Sequence, residues 1–178
     1  MAKRTTNEPR PRDFWPTPIE AVKPLLPFLN SGTRFVEPCA GDGALIDHLT
    51  NAGHVCAAAW DIHPLRGDIV EADATTKLVG NIDCFITNPP WSRDILHPLI
   101  THLSGQAPTW LLFDADWVHT KQSIPLLPRL RKIVSVGRVR WIPDSPSVGY
   151  DNVAWHLFDA WPSELPPRNG CTFHGRTE

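Results

Sequence analysis

Short apolar segments alternate with helix-like segments along the chain, and this alternation restricts the fold more than any other feature. The predicted strands are Arg34–Val36, Val55–Trp60, Ile82–Ile86, Thr109–Phe113, Lys132–Val136 and Val153–Phe158. The predicted helices between them are Ala44–Asn51, Arg93–Leu103 and Lys121–Arg129. Strands that alternate with helices favour a doubly wound α/β fold, in which helices cover both faces of a mostly parallel sheet. A segment rich in proline and glycine joins the last two strands, so an antiparallel strand is expected at one edge.

The 178 residues suit a single domain with two irregular ends. Residues 1–13 are polar, basic and interrupted by proline, which predicts a flexible arm. Residues 14–160 contain all the predicted strands and helices and form the predicted domain. Residues 161–178 are rich in proline and in polar side chains, and we interpret them as an irregular tail.

Charge and cysteine content exclude several classes of protein. With 17 basic and 19 acidic residues the formal net charge is -2, which excludes nucleic-acid binding through bulk charge but not a local basic face. No apolar run approaches the ~18 residues of a membrane span, and the first ten residues lack the apolar centre of a signal peptide. The four cysteines are scattered and the eight histidines lack metal-ligand spacing. We therefore expect a cytoplasmic protein with reduced thiols and no metal site.

A glycine-containing turn follows the first predicted strand. Residues 35–45, Phe-Val-Glu-Pro-Cys-Ala-Gly-Asp-Gly-Ala-Leu, run from that strand into the first predicted helix. Gly41 and Gly43 permit positive φ angles and a close approach of the backbone to a ligand, and the helix then points its N–H groups at that ligand. Position 46 is isoleucine, so the third glycine of the dinucleotide-binding pattern is absent. An ordinary strand-to-helix turn is the alternative interpretation.

Two aspartates follow later strands, and they favour a ligand-binding site over an ordinary strand-to-helix turn. Asp61 ends the second predicted strand, at roughly the 20-residue spacing from the glycine turn that places an acid beside both ribose hydroxyls of an adenosyl ligand. Asp73 follows a third short strand, where it is positioned to meet the adenine edge of that ligand. For each aspartate, a helix cap or a turn is the alternative role.

The tetrapeptide Asn88-Pro89-Pro90-Trp91 is the most informative motif, and it follows a buried strand. The prolines fix φ near −65° and donate no hydrogen bond, so the Asn88 side chain and the Pro89 carbonyl are acceptors on a rigid frame. Two acceptors outside the plane of an exocyclic amine would localise its lone pair and favour attack on a methyl group held in line. Trp91 would stack on the base. A purely structural turn is the alternative.

With these motifs, residues 14–158 resemble class I S-adenosylmethionine-dependent amino-methyltransferases of the N6-adenine type. The resemblance implies a Rossmann-like class I fold, S-adenosylmethionine as cofactor, and methyl transfer to the N6 amine of adenine in DNA. Phe14–Pro18 resembles the family segment that precedes the glycine turn and closes over the methionine end. The implied catalytic residues are Asn88, Pro89, Pro90 and Trp91. The implied cofactor-binding residues are Trp15, Thr17, Glu37, Pro38, Cys39, Ala40, Gly41, Gly43, Asp61, Ile62, Asp73, Ala74 and Asn88.

The chain departs from this family in leaving little room for a separate target-recognition region, because few residues follow Phe158. The recognised target sequence is then short, or sequence specificity is absent, or it comes from loops, a second copy of the chain or another protein. Arg138 and Arg140, with Trp141 and Tyr150, form the candidate nucleic-acid-binding loop, in which arginines would hold phosphates and aromatic rings would stack an unpaired base. A strand edge protected by charge is the alternative interpretation.

Three functions remain open from the sequence. The first is methylation of adenine in DNA, which requires a flipped base or a single strand because N6 is paired inside a duplex. The second keeps the chemistry but changes the acceptor to adenine in RNA or to a protein glutamine amide. The third, of another class, is a cofactor-binding module that depends on a partner subunit for catalysis.

Overall fold

Among the residues that our computed structural model describes (15–142, 148–160 and 170–176), eight strands form one sheet. The strands are β1 (Arg34–Glu37), β2 (Val55–Asp61), β3 (Val70–Glu71), β4 (Cys84–Thr87), β5 (Thr109–Asp114), β6 (Leu130–Arg138), β7 (Asn152–Phe158) and β8 (Thr172–His174). The α-helices are α1 (Ile19–Val22), α2 (Ala44–Asn51) and α3 (Arg93–Ser104). The predicted arm, residues 1–13, lies outside the described residues, as do 161–169 and 177–178 of the predicted tail.

The strand order is β3-β2-β1-β4-β5-β7-β6-β8, and it confirms the predicted α/β fold. The first five strands are parallel, because helices or long crossovers return the chain between them. The expected antiparallel strand is β7, which pairs with both β5 and β6. It lies inside the sheet and not at the predicted edge, because β6 and β8 continue the sheet beyond it. The chain moves outward from β1 to β3 and then returns to β4 beside β1. In such sheets ligands bind outside the carboxyl ends of the strands where the order reverses, here β1 and β4.

Because side chains alternate along each strand, buried core residues lie on both faces of the sheet. On β1, Phe35 packs against the apolar face of α2, whereas its neighbour Val36 packs with Leu99 and Leu103 of α3 on the opposite face. Buried residues of α3 follow the three- and four-residue spacing of an amphipathic helix: Leu96, Leu99, Ile100 and Leu103. Both faces are therefore covered, and the carboxyl edge of the sheet is left for a site.

Two sequence predictions about local structure are wrong. Lys121–Arg129 is not an α-helix but contains two short 3₁₀ turns, Lys121–Ser123 and Leu127–Arg129, because Pro125 and Pro128 have no amide hydrogen to donate. Thr172–His174, inside the predicted irregular tail, is strand β8 and pairs in parallel with β6. Of the helices in the described segments, none combines the length and apolar character needed to cross a bilayer.

Candidate active site

A cavity of about 720 Å³ opens at the carboxyl ends of β1, β2 and β4. It brings together three sequence motifs that lie far apart in the chain, the glycine turn (Glu37–Gly43), Asp61 and the Asn88–Trp91 loop. The predicted site residues that line it are Trp15, Thr17, Glu37, Pro38, Cys39, Ala40, Asp61, Ile62, Asp73, Ala74, Asn88, Pro89, Pro90, Trp91, Trp141 and Tyr150. Four predicted site residues are not among those that line it: Gly41, Gly43, Arg138 and Arg140.

The two glycines shape the turn instead of lining the cavity. Both have positive φ angles, 53° at Gly41 and 80° at Gly43, which L-residues with side chains rarely adopt. The Gly41 amide donates a hydrogen bond to Asp61 Oδ2 at 2.8 Å, and the His63 amide donates to Asp61 Oδ1 at 2.7 Å. Asp61 therefore ties the glycine turn to the end of β2. A carboxylate has about four acceptor positions, so its two oxygens retain capacity for ligand hydroxyls.

Gly43 makes room for an arginine, a role that the sequence patterns did not indicate. A Cβ atom at this position would lie 2.3 Å from Cζ of Arg66. The Arg66 guanidinium forms ion pairs with Asp47 at 2.9 Å and Asp68 at 2.7 Å, and so links the start of α2 to the loop after β2. Isolated arginines in loops carry no local signal, and only the fold places Arg66 over the glycine.

Glu37 lies at the bottom of the cavity with 2% of its surface exposed. Its Oε2 atom is buried and has no hydrogen-bond partner among the described residues. Burial, followed by the negative charges of Asp42 and Asp61, raises the pKa of this carboxyl well above its usual range. A buried carboxyl with no partner, beside two further carboxylates, is a site that a cationic group would stabilise.

Replacing Glu37 by glutamine is expected to change how stability depends on pH. The folded protein keeps the Glu37 proton above the pH at which the unfolded chain loses it, so the free energy of unfolding falls as pH rises from about 4.3 to the raised folded pKa. The glutamine variant lacks this fall and should be more stable at pH 7 by on the order of 1 kcal/mol. Urea unfolding at pH 5 and pH 7 measures the difference. Glu71→Gln, at an exposed carboxyl of β3, is the control, and equal pH profiles for both variants would contradict the assignment.

Asp73 and Cys39 also border the glycine-turn side of the cavity. Asp73 Oδ1 accepts hydrogen bonds from the amide of Thr75 at 2.8 Å and from its hydroxyl at 2.7 Å, and these bonds lower the pKa of the carboxyl. One oxygen thus forms a turn while the residue still faces the cavity. Burial raises the pKa of the Cys39 thiol, and so do the charges of Asp61 and Glu37, which disfavours the thiolate form that a nucleophile needs.

The Asn88 carboxamide is held from both sides. Its Nδ2 donates to the Thr17 hydroxyl at 3.2 Å, and its Oδ1 accepts from the indole N–H of Trp91 at 3.3 Å. Thr17 is only 5% exposed and comes from the segment before α1. These contacts fix which end of the amide carries the oxygen, and they place that oxygen on the Trp91 side of the cavity.

Aromatic rings border the cavity beyond Asn88. Trp91 packs edge-on against Trp141, with ring centroids 5.9 Å apart and an interplanar angle of 77°. The two described ends of the connection between β6 and β7 are joined by a hydrogen bond, which the Gly149 amide donates to the Val139 carbonyl at 2.8 Å. A Cβ atom at Gly149 would lie 3.2 Å from the Trp141 ring, so the glycine lets this backbone cover the tryptophan. The two aromatic residues predicted for the candidate nucleic-acid loop, Trp141 and Tyr150, thus lie beside the Asn88 loop.

Other lining residues were missed by the sequence patterns. Asp94 and Ile95 follow the Asn88–Trp91 loop directly, at the start of α3, and Asp151 follows Tyr150. Their proximity in sequence to predicted site residues was the available signal. Among the described residues, no group of three or more histidine, cysteine, aspartate or glutamate side chains is arranged to hold a metal ion.

The fold agrees with that of solved methyltransferase structures. A Listeria monocytogenes protein assigned to the class I S-adenosylmethionine-dependent methyltransferases aligns with 88% of this chain at a TM-score of 0.61 and 11% identity. The chain has the class I methyltransferase fold. The same fold is shared with a dimethyladenosine transferase from Plasmodium falciparum (TM-score 0.53, 16% identity, 82% of this chain) and with the 23S rRNA methyltransferase ErmE (TM-score 0.53, 15% identity, 86% of this chain).

The similarity to these proteins is one of fold. The chain spans 64% of the Listeria protein, 62% of the Plasmodium enzyme and 70% of ErmE. No protein-family model matches the sequence, and no curated protein matches it significantly. The shared class I methyltransferase fold therefore assigns no role to any individual residue of this chain.

Proposed function

We propose that this chain transfers the methyl group of S-adenosylmethionine to the exocyclic N6 amine of adenine in DNA. One observation carries the proposal. The Asn88 carboxamide, oriented by Thr17 and Trp91, faces the same cavity as the buried carboxyl of Glu37 and the strand-end carboxylate of Asp61. An amine acceptor and a cationic adenosyl donor would therefore meet in one enclosed space. The class I methyltransferase fold supports this proposal.

The glycine-turn side of the cavity fits S-adenosylmethionine. This cofactor carries a sulfonium and an ammonium group, and it supplies an electrophilic methyl group when bound. The buried, unpartnered carboxyl of Glu37 would stabilise its positive charge. Asp61, whose oxygens each accept one backbone hydrogen bond, would accept ribose hydroxyls with its remaining lone pairs. Asp73 would face the adenine edge with the carboxylate oxygen that Thr75 does not occupy.

The Asn88 side would bind the acceptor base. Asn88 Oδ1 and the Pro89 carbonyl would each accept one N–H of the exocyclic amine, which draws the nitrogen toward tetrahedral geometry and concentrates its lone pair. Because the amide acceptor is neutral, it takes up no proton, and the methylated nitrogen, which is cationic at that point, would release one N–H proton to solvent water. Trp91, held by Trp141, would provide the surface on which the base stacks.

Thr17 has a different role in this proposal from the cofactor contact implied by the family resemblance. Its hydroxyl accepts from Asn88 Nδ2, and it therefore acts as a positioning residue that keeps Oδ1 directed at the acceptor amine. Thr17→Val, which preserves volume but removes this acceptor, is expected to lower kcat about tenfold. The cofactor Kd should change less than twofold, and Thr17→Ser should restore the rate.

The control for this prediction is Thr33→Val. Thr33 is also 5% exposed and also makes a side-chain hydrogen bond, to the Asn30 carbonyl at 2.7 Å, but it precedes β1 at the opposite edge of the sheet. A fall in kcat of equal size in both variants, or a Thr17→Val variant that loses cofactor affinity and retains its rate, would show that Thr17 does not orient Asn88.

The test of the proposed function is label transfer from methyl-labelled S-adenosylmethionine to defined acceptors. We expect 6-methyladenine in single-stranded or duplex DNA, and no label in matched DNA in which hypoxanthine, which lacks the exocyclic amine, replaces adenine. Label that appears only in protein would contradict the nucleic-acid assignment. A chain that binds the cofactor but methylates nothing until a cell extract is added would indicate a partner-dependent module.

Adenine in RNA is the second candidate acceptor. It is favoured by the fold similarity to ErmE, described as a 23S rRNA methyltransferase, and to the Plasmodium dimethyladenosine transferase. The Asn88 side of the cavity contacts the base and not the sugar in this proposal, so it does not discriminate between the two nucleic acids. Parallel reactions with DNA and RNA oligonucleotides of the same sequence decide between them.

A further inference from the structure

Arg176, which follows β8, lies across the backbone of β6. The strand has an irregular register between Ser135 and Gly137, and Gly137 has a φ angle of 87°. A Cβ atom at Gly137 would lie 3.1 Å from Arg176 Nη1 and 3.6 Å from its Cδ atom. Because Gly137 has no side chain, the Arg176 side chain can pack against the β6 backbone at this position. Since β8 runs parallel to β6, Arg176 reaches the same edge of the sheet as the cavity.

Two further arginines lie next to this position. Arg138 ends β6 directly after Gly137, and Arg140 follows it, with both side chains exposed on either side of the buried Val139. Within residues 15–142, 148–160 and 170–176, the only ion pairs are those of Arg66, so none of these three arginines has a carboxylate partner. Asp151, which precedes the Asn152 that pairs with Arg138, forms no ion pair with Arg138. Positive charges at one end of a strand that have no carboxylate partner among the described residues favour a bound anion.

The cavity beside them has the opposite charge. Its lining includes six acidic side chains and, among the described residues, no lysine or arginine: Glu37, whose raised pKa favours the protonated form, and Asp42, Asp61, Asp73, Asp94 and Asp151. Such a cavity repels phosphate but accepts a neutral base or a cation. Trp141, which follows Arg140 in the chain, and Tyr150 both line this cavity. The charges thus separate a place for a base from a place for a sugar-phosphate chain.

We propose that Arg138, Arg140 and Arg176, here called the arginine rim, hold the phosphates that flank the acceptor nucleotide. Arg176 is thereby a nucleic-acid contact that the sequence patterns did not indicate. The rim positions the chain outside the β6 and β8 end of the sheet, and the base enters past Trp141. This inference rests on the proposed function for the identity of the acceptor, but its test does not depend on catalysis.

The test is binding of a fluorescent single-stranded DNA oligonucleotide, without cofactor, as a function of salt concentration. Arg176→Gln is expected to weaken binding roughly five- to tenfold at about 20 mM salt. At about 200 mM salt the ratio of the two affinities should be smaller. The slope of log K against log salt should become less steep by about 0.7, the value for one phosphate of a single strand. The loss should be the same for oligonucleotides of different sequence, because phosphate contacts carry no base information.

Arg34→Gln is the matched control, since Arg34 is an exposed arginine that begins β1 at the amino edge of the sheet, opposite the cavity. Equal binding and equal salt slopes for the two variants would overturn the arginine rim, as would a wild-type chain that binds no oligonucleotide. If the wild type methylates DNA but Arg176→Gln matches the control, the rim is wrong and the proposed function stands. If Arg176→Gln loses binding but no nucleic acid is methylated, the rim stands and the proposed function fails.

Discussion

Asn88→Ala is expected to lower kcat for methyl transfer at least ~100-fold while the cofactor Kd stays within a few-fold of the wild-type value. The substitution removes the oxygen that would accept one amine hydrogen, an interaction that strengthens only as the lone pair localises. Binding energy gained only in the transition state affects kcat and not affinity. Single-turnover methyl transfer and calorimetric titration of S-adenosylmethionine measure the two quantities separately.

The control is Asn51→Ala, at an exposed asparagine that ends α2 and lies outside the cavity lining. It should leave both quantities unchanged. If Asn88→Ala instead abolished cofactor binding with no separate effect on the rate, Asn88 would belong to the cofactor site and the proposed acceptor geometry would be wrong. Thermal unfolding of the variant shows whether the loss of the Thr17 and Trp91 hydrogen bonds has destabilised the fold.

Asp61→Ala is expected to weaken cofactor binding by about 1–3 kcal/mol, or roughly 5- to 150-fold in Kd. Two losses combine in this variant. The cofactor would lose charge-assisted hydrogen bonds to its ribose, and the amides of Gly41 and His63 lose the acceptors that tie the glycine turn to β2. The rate at saturating cofactor should fall much less, because Asp61 would not contact the acceptor amine.

Asp68→Ala provides the comparison, because Asp68 lies in the same loop region and is an exposed carboxylate that pairs with Arg66 outside the cavity. It removes the same charge without removing a cavity oxygen. Asp61→Asn separates the two losses further, since its amide oxygen can still accept one backbone bond. An unchanged cofactor affinity in Asp61→Ala would contradict the ribose role. Equal losses of cofactor affinity in the Asp61 and Asp68 variants would show that the effect of Asp61 is one of general charge and not of contact with the ribose.

The sequence predicted the central part of the fold because that part depends on local signals. Apolar runs such as Ile82–Ile86 and turns such as Glu37–Gly43 specify buried strands and their ends within a few residues. The segment Lys121–Arg129 had helical spacing of apolar residues, but Pro125 and Pro128 outweighed it. Strand β8 could not be predicted, because its three residues are stabilised by pairing with β6 and carry almost no pattern of their own.

In the candidate site, too, the features that depend on local sequence were predicted and the long-range contacts were not. The residues that line the cavity were found where they belong to compact motifs, as with Asn88 and Asp61. The contacts that hold those residues were not found, because they join positions far apart in the sequence. Thr17 is 71 residues from Asn88, and Arg66 is 23 residues from the carbonyl of Gly43 to which it donates. Such contacts are set by the sheet order and not by any local spacing.

The edge-on contact of Trp91 with Trp141 joins the segment after β6 to the Asn88–Trp91 loop in one side of the cavity. In the proposed function, Trp141 belongs to the segment after β6 that faces the nucleic acid, and loops tolerate changes in length and composition better than strands do. Because its tryptophan braces the ring beside Asn88, any exchange of that segment also shifts the frame on which the reaction takes place. Under the proposed function, a redesign of this segment for a different target is therefore expected to change turnover as well, unless the Trp91–Trp141 contact is kept.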